Sequence, residues 1–139
     1  IYRELAAMQK KGWISPLENE NDAGRKKTYQ VEPRGRAELA DWMVKQSPPA
    51  QLREELMVRL RAEAQLGGNG VVPELVRHLQ LHQNNLKTYQ VIYDKDFKHS
   101  DDSDRTLYIH KMVLQLGIEL EMGWISWLER VIPQLKKFE

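Results

Sequence analysis

With 139 residues, the chain is long enough for one ordinary domain or two small ones; 41% apolar and 29% charged residues describe a folded core under a well-solvated surface. A net charge of +1 excludes a polycation, and the absence of cysteine excludes a disulfide scaffold, a thiolate zinc site and a cysteine nucleophile. No apolar run approaches the roughly 20 residues needed to cross a bilayer, and no secretory signal is recognisable, so a cytoplasmic protein is expected.

In chain order, Tyr2, Leu5 and Met8 recur at helical spacing, and Gly12 is a natural stop for that helix. Trp13-Ile14 opens a short β run, a polar turn fills Glu18 to Lys27, and Thr28-Tyr29-Gln30-Val31 alternates as a returning strand. Pro33 suits the first turn of a second helix, whose predicted inward residues are Ala37, Leu39, Ala40 and Met43. Helix, hairpin and helix, with Arg25, Lys26 and Lys27 at the hairpin, is the layout of a winged DNA-binding module. In such a module one element enters a groove while the other touches phosphates. Charge is distributed accordingly: residues 9–36 hold seven Lys/Arg against four Asp/Glu, whereas residues 49–139 hold twelve against thirteen. A basic turn that merely keeps a hairpin edge unpaired would have the same composition.

Gln46-Ser47-Pro48-Pro49 interrupts any continuous helix and divides the chain into predicted domains 1–47 and 48–139. Beyond it three helices are predicted. Ala50–Leu66 carries Leu52, Leu56, Leu60 and Leu66 and is ended by Gly67-Gly68-Asn69-Gly70. Val71–Phe97 has a seam of Val72, Leu75, Leu79, His82, Leu86, Tyr89 and Tyr93. After a polar turn in which Ser100, Asp101 or Asp102 is the expected cap, a helix runs from about Ser103 to Lys137. This last helix has two apolar stripes. One is Leu107, Lys111, Leu114, Ile118, Glu121, Ile125, Leu128 and Ile132; the other is Ile109, Val113, Leu116, Leu120, Trp124, Trp127 and Val131. Two stripes need two neighbours, and a second copy of the chain is the simplest second neighbour. A homodimer is therefore expected, with Leu107, Leu114, Ile118, Trp124, Ile125 and Leu128 as its contact residues. The fold class is mostly α: a partial winged helix with one hairpin wing, then a three-helix antiparallel dimerisation domain.

No catalytic constellation can be assembled. His78 and His82 stand four apart, a zinc-compatible spacing, but Glu74 is the only nearby acid and His82 lies in the apolar seam, so packed histidine is the better reading. His99 with Asp101, Asp102 and Asp104 lacks the spacing of a calcium loop and reads as an acidic capping turn. No cofactor is implied. Tyr89, Tyr93, Trp124 and Trp127 form a candidate pocket for a small aromatic effector, against the plainer reading that large rings fill a helical core.

Tyr2-x-x-Leu5-x-x-Met8-x-x-x-Gly12-Trp13-Ile14, Gly24-Arg25-Lys26-Lys27-x-Tyr29 and Gly35-x-x-x-Leu39 together resemble the PadR family of bacterial transcriptional regulators, especially its AphA-like branch with a long helical C-terminal domain. Glu32 departs from the family's usual threonine before the second helix. The chain begins at Ile1, and the resemblance implies two further helices and the front of the recognition helix ahead of it. It also implies double-stranded DNA as partner, read by Tyr2 and Arg3 on the remaining recognition helix and by Arg25, Lys26 and Lys27 on the wing. Tyr29 is expected chiefly to pack its ring beneath that wing. The alternative is a helical adaptor whose winged module binds protein.

Overall fold

The structure, a computed structural model, describes residues 1–17, 27–68 and 70–138. Its elements are α1 (Tyr2–Lys10), β1 (Ile14–Pro16), β2 (Tyr29–Val31), α2 (Pro33–Met43), α3 (Glu55–Leu66), α4 (Val72–Asp96) and α5 (Arg105–Lys136). The chain divides into two compact units, Ile1–Gln51 and Leu52–Glu139.

In the first unit Gly12 adopts φ 70°, a left-handed conformation that a side chain would strain, and so ends α1 and turns the chain into the sheet. The two strands pair antiparallel in the register Ile14 with Val31, Ser15 with Gln30 and Pro16 with Tyr29. Pro33 occupies the first turn of α2, where its missing N–H leaves no partner unsatisfied. Gly35 lies directly under the strand entry: a Cβ there would overlap the Trp13 carbonyl oxygen and stand 2.9 Å from its carbon. The same carbonyl accepts from the Glu32 N–H at 2.9 Å, so α2 is seated on β1 through backbone contact. No described residue of this unit is fully buried. The expectation that Ala37, Leu39, Ala40 and Met43 face inward is thereby corrected, with Leu39 54% and Met43 69% exposed. Periodicity identified an apolar face of α2, but no described part of the unit covers it.

The second unit is built on the pairing of α4 with α5. Its core is Leu56 of α3, Leu75 of α4 and Leu128 and Ile132 of α5, flanked by Met57, Leu60, Val71, Leu79, Trp127 and Leu135. The whole seam predicted on α4, from Val72 to Tyr93, is buried or half-buried. The α5 cap differs from expectation. Asp104 fills it, accepting from the backbone N–H groups of Thr106 at 2.9 Å and Leu107 at 3.1 Å. The three expected caps are engaged elsewhere: the Ser100 hydroxyl donates to the Phe97 carbonyl, Asp101 accepts from Ser103, and Asp102 pairs with Lys111.

Of the two stripes on α5, the one running from Leu107 to Ile132 is buried or half-buried against the rest of the chain. The other is split. Trp124, Trp127 and Val131 are half-buried, while Ile109, Val113, Leu116 and Leu120 are exposed, Val113 to 70%. Leu128, expected at a contact between copies, is fully buried in the chain's own core and has no surface to offer a partner. Helical spacing identified both stripes but could not say which one α4 would cover.

Candidate nucleic-acid interface

The first unit presents its cations outward. Tyr2 and Arg3 lie in the first turn of α1, both exposed, Tyr2 to 88%. Lys27 is exposed just before β2, and Tyr29, half-buried, begins that strand opposite Pro16. Arg25 and Lys26 lie outside the described residues. Lys10 sits in the last turn of α1, where a cation opposes the negative end of the helix dipole. Lys11 is held 4.3 Å from the centre of the Trp13 ring, a cation–π contact at the α1–β1 corner.

A small polar network ties the two strands to the start of α2. Ser15 Oγ donates to Glu32 Oε1, and Gln30 Nε2 donates to Ser15 Oγ at 3.1 Å and to Glu32 Oε1 at 3.2 Å. Glu32 stands at the α2 N-cap but makes no side-chain cap hydrogen bond. Its carboxylate braces the hairpin, and its charge still faces the positive end of the helix. This explains how glutamate serves where the resemblance leads one to expect threonine.

Sequence reasoning missed a polar cluster in the second unit. His82 Nδ1 bonds Glu121 Oε2 across the α4–α5 seam, Asn85 Nδ2 donates to Glu121 Oε1 at 3.3 Å, and the His82 ring stacks on Trp124 at 5.2 Å. Both partners are largely covered, with side-chain exposures of 18% and 13%. The available signal was that each apolar stripe contained one polar residue, His82 on α4 and Glu121 on α5. His78 instead pairs within its own helix, 3.1 Å from Glu74. Among the described residues no group of three or more His, Cys, Asp or Glu is placed to hold a metal.

The four aromatics expected to share a pocket do not line one cavity. Trp124 is engaged by His82 and lies edge-on to Trp127 at 5.9 Å, and Trp127 packs on the core. Tyr89 lies against Gly117. Tyr93 alone of the four borders a cavity of about 440 Å³, with Gln90, Asp94, Gln115 and Ile118. Nearby, the hydrogen bond from Asp102 raises the Lys111 pKa, and the charges of Asp102, Tyr93 and Tyr108 add to that shift against desolvation.

A helix and hairpin with outward cations, followed by a helical unit built on two long antiparallel helices, define a winged-helix DNA-binding regulator of mostly α class. A family profile described as "Virulence activator alpha C-term" matches residues 52–136. The chain is 26% identical over 141 residues to the negative transcriptional regulator PadR of Bacillus subtilis, covering 99% of this chain and 78% of that one. The same PadR in complex with operator DNA superposes with a TM-score of 0.73 at 24% identity, over 96% of this chain and 76% of that one. Its complex with p-coumaric acid gives 0.69 at 24%, over 97% and 76%. The Vibrio cholerae virulence activator AphA gives 0.77 at 19%, over 99% and 77%. This chain belongs to the PadR family of transcriptional regulators, of the AphA-like kind. Among the described residues no helix is long and apolar enough to cross a membrane.

Proposed function

We propose that the protein acts in the cytoplasm as a homodimer on a palindromic operator, with α1 set in the major groove and the hairpin against phosphates. The observation that carries this reading is the exposed apolar stripe of α5, Ile109, Val113, Leu116 and Leu120, on a helix whose opposite face is already covered. One helix and one wing bind weakly and in a salt-sensitive way; joining two copies makes the second contact intramolecular and raises the effective concentration. Half-sites then repeat at one helical turn or a multiple of it. Exposure of Tyr2, Arg3 and Lys27 supports their use as DNA contacts, with Arg25 and Lys26 completing the basic wing.

A small aromatic effector is part of the same proposal, supported by the p-coumaric acid complex of the similar PadR and by the Tyr93 cavity of this chain. Titrating intrinsic tryptophan fluorescence with a panel of aromatic acids tests it; a flat response across the panel counts against a pocket in this unit.

DNA binding is tested by mobility shift on the native upstream region with the salt concentration varied. Changing Arg25, Lys26 and Lys27 together to alanine is expected to weaken binding while leaving the dimer intact. Every phosphate that the altered wing no longer neutralises should reduce the slope of log affinity against log salt by about 0.9. An unchanged affinity and slope would remove the wing from the interface.

A further inference from the structure

We infer that in the dimer just proposed, on which this step rests, a groove along α3 of one copy receives the exposed stripe of α5 from the other. The groove encloses about 890 Å³ and is lined chiefly by Leu52, Met57, Val58, Leu60, Arg61 and Ala64. Leu52 and Val58 are 73% and 66% exposed, although the opposite face of α3 already places Leu56 in the core. Like α5, then, α3 has apolar surface beyond what its own chain covers.

The stripe on α5 is the convex counterpart. Ile109, Met112, Val113, Leu116 and Leu120 are all exposed, and Gly123, which continues their line, has nothing within 4 Å of where a Cβ would stand. From Ile109 to Gly123 it extends about 21 Å at helical rise, and α3 is about 18 Å long. The two surfaces do not meet within one copy, because α3 joins α5 near its C-terminal end, through Trp127, Leu128, Ile132 and Leu135. A twofold axis that sets two α5 helices antiparallel brings the Ile109 end of each beside the Leu128 end of the other, where α3 sits. The contact is then made twice, groove to stripe and stripe to groove, as a closed isologous dimer requires.

Charge fits the same arrangement. Arg59, Arg77 and Lys111 are paired within the chain, but among the described residues Arg61 at the groove and Glu119 beside the stripe have no ion-pair partner. A second copy supplies each with its opposite.

Because the chain has no cysteine, the contact can be trapped directly. Ala64→Cys is mixed in turn with Val113→Cys, Leu116→Cys and Leu120→Cys under mild oxidation, each variant being a full chain. A disulfide joining two different variants is expected in at least one mixture, with Ala64→Cys alone giving none. Stripe variants that cross-link only to themselves would overturn the inference, since stripe would then pack on stripe. Arg61→Glu or Glu119→Arg alone should weaken dimerisation by about tenfold, and the double exchange should restore it. Single exchanges without effect on a dimer seen by sedimentation overturn the groove assignment alone. A wild-type chain that sediments as a monomer overturns the dimer reading and this inference with it.

Discussion

At the level of single residues, the first unit depends on backbone closeness more than on buried side chains. Gly35 allows α2 to approach the Trp13 carbonyl, and backbone cannot swing aside as a flexible side chain could. Gly35→Ala should therefore destabilise this unit by about 2 kcal/mol or more, measured by urea unfolding followed through Trp13 fluorescence. In the second unit, the hydrogen bond from Arg77 leads in holding the Glu74 carboxyl well down, from 4.5 to about 2; the charges of Arg77 and His78 and the His78 hydrogen bond assist, and desolvation opposes. A depressed carboxylate stabilises the fold above its unfolded value and loses that contribution as the pH falls through the folded one. The stability gap between wild type and Glu74→Gln should thus be present at neutral pH and close between about pH 4.5 and 2, measured as urea midpoints across that range. Because the pair is a surface i,i+3 contact, the gap should be small and should shrink with added salt.

At the level of elements, the start of α5 illustrates how local chemistry can be read in kind but not in position. An acidic cap was legible in the turn 98–104, yet four residues there have side chains able to serve. Which one caps depends on what the others bond, and Lys111 reaching back to Asp102 is part of that decision. Asp104→Ala should lower stability by about 1 kcal/mol, visible as a reduced thermal midpoint, while Asp101→Ala should leave the α5 N-terminus capped. The ends of α1 and α2 were more readily legible. Gly12 and Pro33 act through their own backbone limits, and no distant residue is needed to explain them. The α2 face was misjudged for the opposite reason: an apolar periodicity states that a face should be covered, and says nothing of what covers it.

For the whole molecule, the two stripes of α5 separate folding from association. Leu128→Ala removes a fully buried side chain from the one core of the helical unit and should cost about 3 kcal/mol by chemical denaturation. Leu116→Glu, at a position 58% exposed, should leave helix content and unfolding midpoint nearly unchanged and shift sedimentation from dimer to monomer. If Leu116→Glu still sediments as a dimer, the association face lies elsewhere.

The amino-acid sequence alone determined where the helices and strands fall, because Gly, Pro and apolar spacing act within a few residues of themselves. It also carried the family resemblance, through the order of the Tyr2 helix, the basic turn and the Gly35 helix. The tertiary structure decided which stripe of α5 is consumed by α4, that Leu128 belongs to the core, and that His82 meets Glu121. It likewise separated the four aromatics that spacing had grouped together. Each of these rests on residues tens of positions apart being brought into contact, and competition among such partners is not written into the local pattern of either one.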